Sequence, residues 1–156
     1  MRRMNNRMEM VFPALAENEA FARMVISAFL VQRDPAVSVV SEVRTAVSEA
    51  VTNAVVHAYA NAQGQIALRA ELCEDTVRIE VEDFGCGIED IARAMRPFFT
   101  TRPGDERTGM GFALMQSFMD EVRVASQPGR GTLVTMEKRL CAQAGEEEAP
   151  CSRAAL

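Results

Sequence analysis

Helical spacing and strict alternation of apolar and polar residues divide the first part of the chain into a strand and two helices. Residues 8–13 alternate and end on a proline, which predicts a short edge strand. Apolar residues recur at helical spacing over residues 21–31, behind acidic and capping residues at 17–19, and stop before Asp34-Pro35. A second apolar stripe runs through residues 38–60 and predicts a longer helix.

Two pairs of alternating segments predict hairpins in the rest of the chain. Residues 66–72 and 77–83 alternate and are joined by the tight turn Glu74-Asp75. This connection is too short for a crossover helix, so a doubly wound parallel sheet is disfavoured. Residues 122–126 and 133–140 repeat the pattern on either side of a turn rich in glycine and proline.

A long polar segment separates the two hairpins. Residues 84–108 are rich in glycine, proline and charge, with a short helical stretch near 88–95, which predicts a functional loop, and a helix at 109–120 follows it. These elements predict an α+β fold, a two-layer α/β sandwich with a mixed, mostly antiparallel sheet and helices on one face. We expect one domain at residues 1–140 and an acidic, disordered tail at 141–156.

The composition restricts the function classes. With 22 acidic and 17 basic residues, the net charge of -5 repels a polyphosphate backbone, so non-specific nucleic-acid binding is disfavoured. No segment approaches the roughly 20 apolar residues that a membrane span needs, so we expect a cytoplasmic protein. Irregularly spaced cysteines without a Cys-x-x-Cys pair, together with a single histidine, predict reduced thiols and no metal cluster or disulfide framework.

The second predicted helix carries a polar stripe. Glu49, Asn53 and His57 fall at i, i+4 and i+8, which predicts that they share one face. Small alanines flank them and leave room for a ligand to approach the helix. Taken alone, the stripe is more typical of the solvated face of an amphipathic helix.

A second motif follows the first hairpin. Asp83 lies at a predicted strand end, directly before the paired glycines Gly85 and Gly87. A carboxylate accepts hydrogen bonds from the exocyclic amine of adenine, and glycines let the backbone lie against a flat ring. An ordinary aspartate-glycine turn explains the letters equally well. The Asp-Phe-Gly triplet of eukaryotic-type protein kinases is rejected, because the chain has no His-Arg-Asp loop and is too short for two lobes.

A third motif is a polar, glycine-bearing loop that runs into an apolar helix at residues 104–115. Backbone amides at such a helix start bind phosphates, and Arg107 and Thr108 would add a charge-assisted contact and a hydroxyl. The segment is not a Walker A motif, because no Gly-Lys-Ser/Thr follows. It also lacks the strand–turn–helix–strand unit of a dinucleotide-binding fold.

The three motifs together indicate a protein family far more specifically than any one of them alone. The order Glu-x-x-x-Asn, Asp-x-Gly-x-Gly, a lid, then Gly-x-Gly-Phe resembles the GHKL or Bergerat-fold ATPases: gyrase, heat-shock chaperones, bacterial histidine kinases and MutL. The stretches 47–54, 97–103, 106–112 and 118–122 are similar to those of the anti-sigma serine kinases of endospore-forming bacteria. The resemblance covers about residues 5–140.

The resemblance implies a role for each matched position. Asn53 would ligate Mg²⁺, Glu49 would be the general base and Asp83 would read adenine, in a pocket shaped by Gly85 and Gly87. A lid at about residues 93–108 would close over the phosphates. The other implied positions are nucleotide contacts at Thr101, Arg107, Thr108, Gly109, Met110, Gly111 and Thr132, and a sigma-binding contact at Arg23.

The family implies a function with two partners. The chain is expected to bind and inhibit a sigma factor, sigma F in the sporulation branch, and to use Mg²⁺-ATP to phosphorylate a serine of a STAS-domain anti-anti-sigma factor. A homodimer through the N-terminal strand and helix is also implied. The alternatives are a general-stress anti-sigma kinase and a nucleotide-switched binding module without phosphotransfer. An autophosphorylating histidine kinase is disfavoured, because the only histidine, His57, lies on the ATP-site helix.

Overall fold

The computed structural model describes residues 5–59, 63–96 and 111–141. The strands and helices follow one another in the order that the sequence predicts. The strands are β1 (Asn6–Pro13), β2 (Gln65–Cys73), β3 (Thr76–Asp83), β4 (Glu121–Gln127) and β5 (Gly131–Arg139), and the helices are α1 (Glu17–Leu30), α2 (Val37–Asn53), α3 (Ile91–Ala94) and α4 (Gly111–Phe118). A 3₁₀ turn at Val31–Arg33 follows α1, and a π-helical turn at Ala54–Ala58 continues α2.

The five strands form one sheet in the order β1-β2-β3-β5-β4. All four pairings are antiparallel, so the predicted mostly antiparallel sheet is confirmed, and the described residues contain no parallel pair. The two predicted hairpins are present, and β3 joins them by pairing with β5. This pairing sets Asp83 directly opposite Thr132.

The helices cover one face of the sheet, as predicted. Alternate residues of the strands pack with α1, α2 and α4 in a single apolar core, which includes Ile26, Val47, Leu68, Ile79, Met115 and Met136. The opposite face is charged. Arg69 on β2 contacts Glu9 on β1 and Glu80 and Glu82 on β3, at distances of 2.7 to 3.6 Å. The alternation of the sequence therefore corresponds to an apolar inner face and a charged outer face.

The helix boundaries differ from the predicted ones for local reasons. The first helical run stops at Asp34, as predicted, but its last turn tightens into the 3₁₀ turn at Val31–Arg33, and Asp34 has a φ of 50°. The short helical stretch predicted near 88–95 is reduced to α3, whose N-cap Asp90 accepts a hydrogen bond from the Arg93 N–H at 2.9 Å. Among the described residues, no helix is long and apolar enough to cross a membrane. The predicted tail lies outside them apart from Cys141.

Candidate functional site

Helix α2 presents two of the predicted site residues to the start of α4. A Cβ atom at Gly111 would lie 3.2 Å from both terminal atoms of the Asn53 amide and 3.2 Å from Oε2 of Glu49. The predicted shared face of Glu49 and Asn53 is therefore confirmed, and Gly111 keeps the space between the helices open. The first residue of α4 therefore lies against the side-chain carboxylate of Glu49 and the side-chain amide of Asn53.

The π-helical turn directly after Asn53 brings the end of α2 against the loop that carries the paired glycines. The carbonyl of Ala58 accepts a hydrogen bond from the N–H of Cys86 at 2.9 Å. A Cβ at Gly85 would lie 2.2 Å from the same carbonyl oxygen, so no other residue fits without movement. Gly87 has a φ of 73°, and its Cβ would lie 2.2 Å from the carbonyl of Gln127. Both glycines are thus required by backbone packing, and their contact with a base stays a prediction.

Tyr59, which the sequence reasoning missed, fastens this loop to the sheet. Its hydroxyl donates to the carbonyl of Gln65 at 2.5 Å and accepts from the N–H of Phe84 at 2.8 Å. Its ring occupies the place where a side chain at Gly64 would be. The available signal was its position as the only tyrosine of the chain, two residues after His57 on the motif-bearing segment.

Asp83 ends β3 with its side chain buried, at 7% relative exposure. Oδ1 accepts from the N–H of Gly85 at 3.0 Å, and the N–H of Thr132 also donates to the carboxylate. Burial raises the pKa of this carboxyl, and the two backbone hydrogen bonds only partly offset that effect. A folded-state pKa above the unfolded one means that stability falls as the pH rises through this interval. Ionisation of Asp83 therefore costs stability in the free protein.

Thr132 lies beside Asp83 on the inner face, at 9% relative exposure. Its hydroxyl oxygen is 2.9 Å from Oγ of Ser126, the residue opposite it on β4. The structure brings together Asp83, Gly85 and Thr132, which the sequence reasoning assigned to one pocket. Ser126 was missed, because nothing in a single strand's pattern indicates which residue lies behind Thr132.

Arg23 lies on α1, which carries no other predicted site residue. Its Nε is 2.9 Å from Oε1 of Glu19, one turn earlier, and its side chain is 38% exposed. The same carboxylate oxygen of Glu19 accepts a hydrogen bond from Ser48, the neighbour of Glu49. Arg23 is therefore not an isolated solvated side chain, because Glu19 connects it to the helix that carries Glu49 and Asn53.

Part of the predicted site lies outside the described residues. These positions are Thr101, Arg107, Thr108, Gly109 and Met110, and the lid is described only at residues 93–96. Their roles stay predictions.

The residues at the α2–α4 junction fit a hard divalent cation. Mg²⁺ prefers oxygen ligands and is usually held by one or two protein groups together with phosphates and water. Asn53 offers an amide oxygen beside the carboxylate of Glu49, around a space kept open by Gly111. Within the described residues no cluster of three or more His, Cys, Asp or Glu side chains could hold a metal by itself. The chemistry thus suits an ion shared with a bound polyphosphate.

Comparisons with known proteins agree with this geometry. A family model described as a histidine kinase-like ATPase domain matches residues 12–138. The anti-sigma F factor of Caldanaerobacter subterraneus subsp. tengcongensis is 53% identical over 134 residues, which cover 86% of this chain and 94% of that protein. The anti-sigma F factor of Pasteuria penetrans is 51% identical over 137 residues, covering 86% and 91%.

Solved structures share the fold at lower identity. The RsbU and RsbW domains of a Mycobacterium tuberculosis protein superpose with a TM-score of 0.65 at 24% identity, covering 89% of this chain and 34% of that one. The histidine kinase domain of a blue-light activated kinase from Erythrobacter litoralis gives a TM-score of 0.52 at 23% identity, covering 78% and 60%. The predicted fold class is confirmed. The chain belongs to the histidine kinase-like, or GHKL, ATPase family and, within it, to the anti-sigma F factors.

Proposed function

We propose that the chain is a cytoplasmic anti-sigma factor that binds sigma F and a serine kinase that phosphorylates an anti-anti-sigma factor with Mg²⁺-ATP. The observation that carries the kinase proposal is the convergence of the Glu49 carboxylate and the Asn53 amide on the first residue of α4. A site that only binds nucleotide has no need of a base beside the phosphates. The names of the relatives support the sigma factor as partner.

The two groups of site residues suit the two ends of ATP. Asp83, with Thr132 beside it, offers buried acceptors for the 6-amino group of adenine. The start of α4 lies against Asn53 and Glu49, and helix N-termini bind phosphates through their backbone amides. The segment before Gly111, with Arg107 and Thr108, would add contacts to the terminal phosphate.

Glu49 would act as the general base. Asn53 would hold Mg²⁺ through its amide oxygen, and the bound ion neutralises phosphate charge. The carboxylate of Glu49 would orient the substrate serine and take its hydroxyl proton as the serine oxygen bonds to the γ-phosphorus and the bond to ADP breaks. Gly111 leaves room for the incoming serine beside Glu49 and Asn53, because it carries no side chain.

Incubation with γ-labelled ATP, a STAS-domain anti-anti-sigma factor and sigma F tests the proposal. We expect label on a serine of the anti-anti-sigma factor and nucleotide-dependent capture of sigma F. Label on the chain's own His57 would instead identify a histidine kinase. Sigma capture without transfer to any partner would identify a nucleotide-switched binding module. Capture of a general-stress sigma factor in place of sigma F would identify the other branch of the family.

Asp83→Asn should separate nucleotide affinity from stability. We expect ATP affinity to fall about 10- to 100-fold, because a hydrogen bond to a charged acceptor contributes about 1.5–3 kcal/mol. The free protein should gain stability, since the variant has no buried charge. This gain should be absent in acid and should build up as the pH rises from about 3.8 through the raised pKa of Asp83.

Calorimetry with ATP and thermal unfolding across pH measure both effects. Asp34→Asn is the matched control, because it removes the same charge at an exposed turn where the φ of 50° also suits asparagine. Wild-type ATP affinity in the Asp83 variant would remove Asp83 from the adenine site.

A homodimer through β1 and α1 is part of the proposal. Strand β1 is an edge of the sheet, with backbone groups free to meet another chain. Phe21 and Met24 on α1 are 51% and 70% exposed, and Val11 on β1 is 53% exposed. A second copy would cover these exposed apolar side chains, as the family resemblance implies.

Arg23→Glu should weaken sigma binding and spare ATP binding. The substitution reverses a partly exposed charge on α1, which carries none of the nucleotide motifs. Arg123→Glu, the same change on edge strand β4, should leave sigma binding intact. Pull-down of sigma F and calorimetry with ATP measure the two activities. If Arg23→Glu loses both, the variant has misfolded and Arg23 has no assigned role in the interface.

A further inference from the structure

Ser126 is the centre of a hydrogen-bond network behind the adenine pocket. It lies on β4 directly opposite Thr132 on β5. Its Oγ is 2.8 Å from the N–H nitrogen of Ile88, 2.9 Å from the carbonyl oxygen of Gly131 and 2.9 Å from Oγ1 of Thr132. The network thus joins the loop after the paired glycines to the strand that carries Thr132.

The protons of this network can be assigned by counting donors. A serine hydroxyl has one proton and two lone pairs. The N–H of Ile88 donates to Ser126, and the carbonyl of Gly131 can only accept, so the single proton of Ser126 goes to Gly131. The contact between Ser126 and Thr132 then requires a proton from Thr132.

This assignment fixes how Thr132 faces a ligand. Its only proton is directed at Ser126, so its oxygen can offer only lone pairs to the pocket. Asp83, paired with Thr132 across the two strands, is also an acceptor when ionised. The pocket therefore presents acceptors side by side, which suit a group with two hydrogens.

We propose that Ser126 is a positioning residue that keeps the Thr132 hydroxyl an acceptor and so makes the pocket select a 6-aminopurine over a 6-oxopurine. The inference rests on the proposed ATP site. The 6-amino group of adenine donates hydrogen bonds, whereas a 6-oxo group would place a further acceptor against Thr132 and Asp83. Unpaired buried acceptors oppose binding, which gives the pocket its discrimination.

Ser126→Ala tests the proposal through the ratio of the dissociation constants of Mg²⁺-ITP and Mg²⁺-ATP, both measured by calorimetry. The wild type should prefer ATP. In the variant, the Thr132 hydroxyl is free to rotate and donate to a 6-oxo group, so the preference should fall by about 2- to 10-fold, the value of one net hydrogen bond. General damage to the pocket would weaken both nucleotides equally and leave the ratio unchanged.

Three further variants make the test specific. Ser126→Thr keeps the hydroxyl and should retain the wild-type ratio. Ser126→Cys replaces the hydroxyl by a weakly hydrogen-bonding thiol of similar shape, so its ITP-to-ATP ratio should change as in the alanine variant. It replaces the alanine variant in the test if that protein does not fold. Tyr59→Phe loosens the same loop without touching the Ser126 network, so both affinities should fall by one factor.

The outcomes separate the two proposals. A wild-type protein that binds ITP as well as ATP would end the adenine assignment and this inference with it. A wild type that prefers ATP, with the full preference kept in Ser126→Ala and Ser126→Cys, would overturn the role of Ser126 alone. An equal loss of both affinities in these variants would likewise reduce Ser126 to a structural part of the hairpin.

Discussion

Asn53→Ala is expected to abolish Mg²⁺-dependent nucleotide binding. The amide of Asn53 faces the start of α4 beside Glu49, and it is proposed as the only protein ligand to the ion. An alanine has no oxygen to replace it, and Mg²⁺ requires a nearly complete set of oxygen ligands. The residual affinity should be that of metal-free ATP.

Calorimetric titration of ATP with and without Mg²⁺ measures this effect. Asn18→Ala is the matched control, because Asn18 makes a local hydrogen bond to the carbonyl of Pro13 at the start of α1. The control should bind Mg²⁺-ATP as the wild type does. Unchanged Mg²⁺-ATP affinity in Asn53→Ala would mean that the metal is held elsewhere.

The local elements of the fold follow from the sequence because their causes are local. The hairpin at Glu74-Asp75 is fixed by alternation and by a short turn in which Glu74 adopts a φ of 53°. The placement of β5 between β3 and β4 cannot be predicted in this way, because a strand shows the same alternation whichever strand pairs with it. Only the full core, in which Ile79 and Met136 pack under the same helices, selects this order.

The periodicity of the second helix is reliable up to Asn53. Glu49 and Asn53 are one α-helical turn apart, and their common face is confirmed by their approach to Gly111. The π-helical turn begins at Ala54, so the 3.6-residue spacing used to place His57 on that face does not continue. The small apolar residues of this stripe do not distinguish a π-helical turn from an α-helical one. The turn depends on a tertiary contact, in which the carbonyl of Ala58 accepts a hydrogen bond from the N–H of Cys86.

The missed residues act across long sequence separations. Tyr59 is hydrogen-bonded to Phe84, and Ser126 to Ile88, through backbone groups that any residue type carries. Sequence patterns identify side chains with distinctive chemistry, such as Asp83, whereas backbone partners depend on tertiary contacts. The packing of Gly85 and Gly87 has no sequence signal for the same reason, because their close neighbours are the backbone carbonyls of Ala58 and Gln127.

Glu49→Gln should nearly abolish phosphorylation of the anti-anti-sigma serine while ATP and sigma F binding persist. Loss of a general base costs about 10²–10⁴-fold in rate. Removal of a negative charge beside a triphosphate relieves repulsion, so ATP affinity should stay constant or improve. Glutamine keeps the size of the side chain and its ability to hydrogen-bond but removes its charge and basicity, so the two measurements separate catalysis from binding.

Single-turnover transfer of label from γ-labelled ATP, together with calorimetry, gives the rate and the affinity of the Glu49 variant. Glu42→Gln is the control on the same helix, about two turns away, where Oε2 lies 2.8 Å from Nζ of Lys138. That variant loses an ion pair and some stability, but it should phosphorylate the partner at the wild-type rate. A Glu49→Gln protein that transfers phosphate as fast as this control would show that Glu49 is not the base. The convergence of Glu49 and Asn53 on α4 would then indicate nucleotide binding alone, and the proposed mechanism would be wrong.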